Sequence, residues 1–178
     1  MKICVFCSAC DTLPAEYFEN TRELGRWAAE AGHTVVFGGA GMGLMECLAG
    51  AVRQAGGRTI GVVPRLLIDR GRESENVDIE IPCEDLTDRK QLMMDQSDVF
   101  IALPGGLGTL DEIFSVVASA TIGYHEKRVI LYSMTRFWDP LVNMLDAMEA
   151  QGLMRGSWRE RIDVAESLDD IRRQLDHF

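Results

Sequence analysis

Short apolar runs alternate with longer amphipathic segments along the whole chain. The apolar runs predict strands, and Val99–Leu103, which is apolar throughout, has the pattern of a strand buried on both faces. The amphipathic segments predict helices, because their apolar positions recur at helical spacing. The predicted strands are Lys2–Phe6, His33–Phe37, Arg58–Val63, Val77–Ile81, Asp98–Leu103, Arg128–Tyr132 and Ile162–Ala165. The predicted helices are Pro14–Glu30, Leu44–Ala55, Thr87–Gln96, Thr109–Ile122, Asp139–Gln151 and Ser167–His177.

This alternation of strands and helices is typical of parallel βαβ units. We therefore expect an α/β fold: a single Rossmann-like domain over residues 1–178, with a mostly parallel sheet and helices on both faces. One segment interrupts the alternation, because residues 65 to 76 are polar and charged. We expect that segment to be a mobile loop.

Composition narrows the possible partners. The net charge of −10 argues against a nucleic-acid partner, which would need a basic surface, but one phosphate group could still be bound by backbone N–H groups. No apolar run has the length of a membrane span, and no leader peptide precedes the first strand, so we expect a cytoplasmic protein with no membrane partner. The five cysteines are an odd number and are interpreted as free thiols.

Two glycine-rich turns each follow a predicted strand directly. The first is Gly38–Gly43 and the second is Pro104–Thr109. The carboxyl ends of parallel strands are where open α/β sheets bind ligands, and a helix that begins there directs its N–H groups at an anion. The alternative is that the glycines only make tight turns between strand and helix.

The spacing of the glycines excludes two common cofactor motifs. The first turn has one residue before its third glycine, whereas a dinucleotide fingerprint has two, and it lacks the acidic residue about twenty positions later. Neither turn continues into the Gly-Lys-Ser/Thr sequence of a P-loop. NAD and ATP are therefore not expected as cofactors.

The residues after the second turn allow a purely structural interpretation. Thr109 and Glu112 have the spacing of a capping box, in which the threonine caps a helix and the glutamate bonds back to the N–H of the cap. On that interpretation Glu112 has no role in chemistry.

The nine residues Pro104–Glu112, read as Pro-Gly-Gly-Leu-Gly-Thr-Leu-Asp-Glu, carry a resemblance to a known family. The chain resembles the Lonely Guy family, the cytokinin riboside 5′-monophosphate phosphoribohydrolases, whose motif is Pro-Gly-Gly-x-Gly-Thr-x-x-Glu. Arg89-Lys90 matches the end of a second family motif, Met-His-x-Arg-Lys. Further matches are Phe6-Cys7, Gly38-Gly39, Gly43-Leu44-Met45, Gly61-Val62-Val63-Pro64 and Gly123-Tyr124-His125.

The resemblance implies hydrolysis of the N-glycosidic bond of a nucleoside 5′-monophosphate, AMP or a prenylated AMP. It implies Glu112 and Arg89 as catalytic residues and a homodimer as the assembly. The residues implied in phosphate or nucleotide binding are Gly39, Lys90, Gly105, Gly106, Leu107, Gly108 and Thr109. No cofactor and no metal is expected, and His33, His125 and His177 lack the spacing of metal ligands.

The sequence departs from the family pattern at three places. Leu86-Thr87-Asp88 replaces Met-His-x, and Cys7-Ser8-Ala9-Cys10 replaces Cys-Gly-Ser-Ser. In the helix after Glu112, a glutamate and a Thr-Trp pair are replaced by Ser115, Ala118 and Ser119.

The sequence raises three other functions. A non-catalytic carrier of a nucleotide or of molybdenum cofactor could use the same glycine turn. Cys7 and Cys10 form a C-x-x-C pair, which is compatible with a thiol redox protein. Some family members have been labelled lysine decarboxylases, but no set of residues for a pyridoxal cofactor can be identified in the sequence.

Overall fold

A computed structural model describes residues 1–176 and has one seven-stranded sheet in the order β4-β3-β2-β1-β5-β6-β7. Every neighbouring pair of strands is parallel. The strands are Lys2–Phe6 (β1), Thr34–Phe37 (β2), Arg58–Pro64 (β3), Ile79–Cys83 (β4), Val99–Ala102 (β5), Val129–Tyr132 (β6) and Ile162–Ala165 (β7). The expected Rossmann-like fold is confirmed, with a sheet that is parallel throughout.

The helices cover both faces of the sheet. They are Ala15–Glu30 (α1), Gly43–Gln54 (α2), Arg65–Ile68 (α3), Leu86–Asp95 (α4), Leu107–Thr121 (α5), Asp139–Ala150 (α6) and Leu168–Leu175 (α7). Within the described residues, none of them is long and apolar enough to cross a bilayer. The predicted closing helix extended to His177, which lies outside the described residues.

Alternating residues of each strand face two separate apolar layers. Ile3 and Val5 of β1 pack into the layer formed with α1, α2 and α7, whereas Cys4 and Phe6 face the layer formed with α4, α5 and α6. This is the two-residue period of a strand, and it places α4 and α5 on the same face of the sheet. α4 packs on β3 and β4, and α5 packs over β1 and β6.

The chain reverses its direction of travel across the sheet at β1. It runs outward through β2, β3 and β4, and then returns to place β5 on the other side of β1. The carboxyl ends of β1 and β5 meet there, and the amide of Ser8 donates to the carbonyl of Pro104 at 3.2 Å. This reversal is the topological switch point, where open α/β sheets form their ligand crevice.

The segment predicted as a mobile loop, residues 65 to 76, is instead attached to the first glycine turn. It begins with α3, and the amide of Gly41 then donates to the carbonyl of Arg72 at 2.8 Å. The amide of Ser74 donates to the carbonyl of Gly39, also at 2.8 Å. The sequence pattern predicted neither α3 nor these contacts, because the contacts are made by main-chain atoms, which side-chain polarity does not report. The next strand is Ile79–Cys83 rather than Val77–Ile81 for a similar reason: its register is set by pairing with β3.

The turn after β6 contains two consecutive non-glycine residues with left-handed backbone angles. Thr135 has φ 56° and Arg136 has φ 60°. A β-branched residue is rare in this region, because its Cβ approaches the following carbonyl oxygen. The turn therefore stores conformational strain.

Replacing Thr135 with glycine should raise the free energy of unfolding by about 1 kcal/mol, because glycine adopts this conformation without the Cβ clash. Thr135→Ala keeps the Cβ and should give no such gain. Chemical denaturation of both variants and the wild type checks the prediction, and an equal effect of glycine and alanine would contradict it.

Candidate active site

The second glycine turn presents the beginning of α5 to solvent. The helix starts at Leu107, with Gly106 at its N-cap and no side chain bonded to the cap. The first amide of the helix to find a backbone partner is that of Leu110, which donates to the carbonyl of Gly106 at 3.1 Å. Among residues 1–176, no acceptor is bonded to the amides of Leu107, Gly108 or Thr109. These three N–H groups and the positive end of the helix dipole form an anion-binding arrangement.

The glycines of this turn have two different roles. A Cβ at Gly105 would lie 2.1 Å from Oγ1 of Thr109, so Gly105 makes room for that buried side chain. At Gly106 and Gly108 a Cβ would meet no atom within 4 Å. Space is therefore open in front of the unbonded amides, and the side chain of Leu107 extends into solvent.

Two amides at the start of α2, in the first glycine turn, are already bonded within the protein. The N–H of Gly43 donates to the Asp11 carboxylate at 2.8 Å, and the N–H of Leu44 donates to the carbonyl of Ser8 at 2.9 Å. Gly39 has φ 70°, and a Cβ there would lie 2.4 Å from Cγ2 of Val63. The first turn is therefore a tightly packed connection, and the first two amides of α2 are already used within the protein.

The helix start also excludes the capping-box interpretation of Glu112. Because α5 begins at Leu107, Thr109 is its third residue rather than its cap, and Glu112 is its sixth. The Glu112 side chain is buried, with 8% of its surface exposed. The predicted helix start, Thr109, is two residues later than the observed start at Leu107. The prediction took Thr109 as the cap, whereas the cap is Gly106 in extended conformation.

Glu112 lies next to Arg89, which reaches it from α4. Nη1 of Arg89 is 3.7 Å from Oε1 of Glu112, and Nε of Arg89 donates to the carbonyl of Val62 at 3.3 Å. The structure thus brings together the two residues predicted as catalytic. Their separation exceeds hydrogen-bonding distance, so the charges interact while the Nη donors of the arginine are not used by the carboxylate.

Burial determines the protonation of this carboxyl group. Burial raises the pKa of Glu112 from 4.5 to about 7, and the positive charge of Arg89 opposes that rise. A carboxyl group whose pKa lies near neutral pH can hold or release a proton under working conditions, which is the property expected of a catalytic acid or base.

Lys90 lies beside this pair but is engaged elsewhere. Its Nζ donates to both carboxylate oxygens of Asp111, at 2.7 and 2.8 Å, and so connects α4 to α5. Its positive charge lowers the pKa of Glu112, as a smaller effect than that of Arg89. The structure therefore places Lys90 close to the predicted site, in an ion pair that sequence reasoning missed.

C-x-x-C chemistry is not favoured by the surroundings of the two cysteines. Cys7 is buried, and burial raises the pKa of its thiol well above the usual range. Cys10 is exposed, and hydrogen bonding to Thr12 lowers the pKa of its thiol. A buried thiol with a raised pKa is a poor nucleophile. Cys7 is therefore unsuited to thiol–disulfide exchange, which needs two reactive cysteines.

The fold and the site together define an α/β protein with a Rossmann-like sheet, a helix N-terminus open to an anion and a buried carboxylate–arginine pair. Residues 45–175 match the model of a family described as "possible lysine decarboxylase". The chain is 35% identical to a cytokinin riboside 5′-monophosphate phosphoribohydrolase of Mycobacterium tuberculosis, over 96% of this chain and 91% of that protein. It is 34% identical to a probable enzyme of the same name from Oryza sativa subsp. japonica, over 99% and 72%. The chain therefore belongs to this family, the Lonely Guy family.

Solved structures support the same fold. The structural-genomics protein TM1055 superposes with a TM-score of 0.79 at 24% identity, covering 99% of both chains. The molybdenum-cofactor carrier protein of Chlamydomonas reinhardtii superposes with a TM-score of 0.73 at 23% identity, covering 99% of this chain and 95% of that one. At these identities the likeness shows the fold alone.

The residues present do not fit the pyridoxal chemistry that the description "possible lysine decarboxylase" suggests. Such an enzyme needs a lysine amine free to form a Schiff base. The chain has three lysines, and each amine is bonded elsewhere in the structure: Lys2 to Gln96, Lys90 to Asp111 and Lys127 to the carbonyl of Met94.

The raised pKa of Glu112 makes a prediction about stability. Below pH 4.5 the carboxyl group is protonated in both folded and unfolded chains, whereas between pH 4.5 and 7 only the folded chain retains the proton, so stability falls as pH rises through this window. Glu112→Gln has no carboxyl group to ionise at this position, so this fall in stability between pH 4.5 and 7 should be absent. The variant should be more stable than the wild type above pH 7, by about 1–3 kcal/mol, and the difference should close towards pH 4.5.

Denaturant titrations between pH 4.5 and pH 8 measure this difference. Asp111→Asn is the matched control, because it neutralises the adjacent carboxylate, which is half exposed, and should not reproduce the gain. A stability difference for Glu112→Gln that does not change with pH would contradict the prediction.

Proposed function

We propose that this protein hydrolyses the N-glycosidic bond of a nucleoside 5′-monophosphate, AMP or N6-prenylated AMP, to give the free base and ribose 5-phosphate. The observation that carries the proposal is the buried Glu112 carboxyl group, which lies 3.7 Å from Arg89 on the helix whose N-terminal amides are unbonded. The relatives named as phosphoribohydrolases, at 34–35% identity over almost the whole chain, support the same activity.

The geometry of α5 matches the shape of the substrate. In the proposed complex the 5′-phosphate accepts hydrogen bonds from the amides of Gly106 to Thr109. Glu112 lies five residues after Leu107, which corresponds to about 7–8 Å along the helix axis. A nucleotide whose phosphate is bound at the helix start therefore has its ribose beside Glu112. Gly39 and Lys90 would line the same edge of the sheet, where their predicted contacts with nucleotide remain proposals.

The reaction needs water as its only co-reactant. As the bond between C1′ and the base nitrogen breaks, the base leaves with the bonding electrons and positive charge develops on the ribose ring. The Glu112 carboxylate stabilises that charge and accepts a proton from the water that adds to C1′. The departing base takes up one proton from solvent and Glu112 then returns its proton to solvent, so one water is consumed and the products are neutral base and ribose 5-phosphate. Arg89 can bind the ribose hydroxyls through its Nη donors.

A carrier that binds a nucleotide or molybdenum cofactor without cleaving it is the alternative. The fold is shared with molybdenum-cofactor carriers, but that likeness shows no function. A buried carboxyl group with a raised pKa lowers stability at neutral pH and has no use in a passive carrier. Mass spectrometry of the purified protein separates the two, because a carrier would retain an intact nucleotide or pterin.

We also propose that the protein acts as a homodimer in the cytoplasm. Large apolar side chains remain exposed at the start of α4 and at both ends of α5. They are Leu86, Leu107, Ile122 and Tyr124, with exposed fractions of 60%, 86%, 70% and 79%. A second copy of the chain packed against these helices would cover them and enclose the open side of the site.

Incubation with AMP should release adenine and ribose 5-phosphate, detected by chromatography. Glu112→Gln should lower turnover at least about 1000-fold while AMP binding, measured by calorimetry, is largely retained, because the amide cannot stabilise the charge on the ribose. Glu19→Gln, an exposed carboxylate on α1, is the control and should retain wild-type turnover. No release of base from AMP, from other monophosphates or from prenylated AMP would overturn the proposed function.

Ile122→Glu should convert the dimer to a monomer, because it introduces a charge into the proposed apolar interface. Sedimentation velocity reports the change. Leu153→Glu is the matched control, since Leu153 is equally exposed, at 67%, but follows α6. A wild-type protein that sediments as a monomer at micromolar concentration, or a Leu153→Glu variant that dissociates as readily, would contradict the interface.

A further inference from the structure

The guanidinium group of Arg89 lies directly against the backbone of Gly38, at the end of β2. A Cβ built on Gly38 would be 1.5 Å from Nη2 of Arg89, 2.7 Å from Cζ and 3.3 Å from Nε. All three of the nearest atoms belong to this one side chain. Any residue other than glycine at position 38 would occupy the space that the guanidinium fills.

Backbone conformation does not explain this glycine. Gly38 is absent from the glycines with positive φ, whereas its neighbour Gly39 has φ 70°. An L residue could therefore adopt the backbone angles of Gly38. The contact with Arg89 is the reason for glycine here that the structure provides.

Arg89 is held by burial of its side chain and by one hydrogen bond. Its Nε donates to the carbonyl of Val62 at 3.3 Å, and its side chain is 12% exposed. The guanidinium thus lies between the end of β2, the backbone of β3 and Glu112 of α5. A side chain at position 38 would push against the far end of a flexible arginine and would leave the backbone of the sheet in place.

We propose that Gly38 is a positioning residue for the active site: by lacking a side chain it fixes where the Arg89 guanidinium stands relative to Glu112. The part of this inference that concerns turnover rests on the proposed hydrolase function. The part that concerns the electrostatics of the Arg89–Glu112 pair holds whether or not the protein is a hydrolase.

Gly38→Ala should move the guanidinium away from its present position. Because the charge of Arg89 lowers the pKa of Glu112, its displacement should shift that pKa, upward if the guanidinium moves away from the carboxylate and downward if it moves closer. Turnover of AMP at pH 7 should fall about 10- to 100-fold, since small displacements of a catalytic group have effects of this size. The acidic limb of the profile of kcat/KM against pH should move in the same direction as that pKa.

The control for the added methyl group is Gly50→Ala. Gly50 lies within α2, also without a positive φ, and a Cβ there would have only the Asn76 side chain near it, at 3.8 Å. Gly50→Ala should leave both turnover and the pKa of Glu112 unchanged. Circular dichroism and thermal melting of both variants establish that they fold.

A double-mutant cycle with Arg89→Ala tests whether Gly38 acts through the arginine. The readout is the pKa of the Glu112 carboxyl group, followed by carbon-13 NMR titration of glutamate-labelled protein. Gly38→Ala should shift this pKa when Arg89 is present and should have no further effect in the Arg89→Ala variant. An unchanged pKa in Gly38→Ala, or an equal shift in both backgrounds, would overturn the inference.

This readout does not require turnover. If the wild type releases no base from any monophosphate, the proposed function fails while the titration still tests Gly38. If Gly38→Ala does not fold, the double variant Gly38→Ala/Arg89→Ala decides the matter. If the double variant folds, the methyl group of Ala at position 38 clashes with Arg89. If neither variant folds, the methyl group is incompatible with the backbone itself, and the inference is overturned.

Discussion

The candidate site depends on one carboxyl group being kept out of water next to a positive charge. Burial of Glu112 raises its pKa to about 7, and Arg89 limits the rise without forming a hydrogen bond, at 3.7 Å. A closer ion pair would lower the pKa of the carboxyl group further and occupy the arginine donors, whereas a more distant one would leave that pKa higher. The spacing between α4 and α5 therefore sets the chemistry, and the Lys90–Asp111 ion pair joins the same two helices on the solvent side.

The fold supplies this spacing from segments far apart in the sequence. β1 lies at the centre of the sheet, so the carboxyl ends of β1, β2 and β5 meet at one edge although β2 and β5 are more than sixty residues apart. The two glycine turns at this edge have different uses. The first uses its amides and its missing side chains for packing against Asp11, Val63 and Arg89, while the second leaves its helix amides open.

Much of the fold could be predicted from the sequence, because buried parallel strands and amphipathic helices have distinct periodicities. Arg89 and Glu112 could be selected from motifs, and the structure brings them together. Three features could not be predicted. The start of α5 at Leu107 depends on the backbone of Gly106, the attachment of residues 72–74 to the first turn uses main-chain atoms, and the contact of Gly38 with Arg89 joins residues about fifty positions apart. Patterns of residue type contain little information about such backbone and long-range contacts.

The central position of β1 also has a consequence for the synthesis of the protein. One edge of β1 pairs with β2, which follows within about thirty residues, but the other edge pairs with β5, which begins at Val99. Until β5 has been made, one edge of the apolar strand Lys2–Phe6 has no partner strand. Exposed apolar strand edges are sites of self-association. The order of strands that creates the ligand crevice therefore leaves the nascent chain with a strand edge open to self-association until β5 has been made.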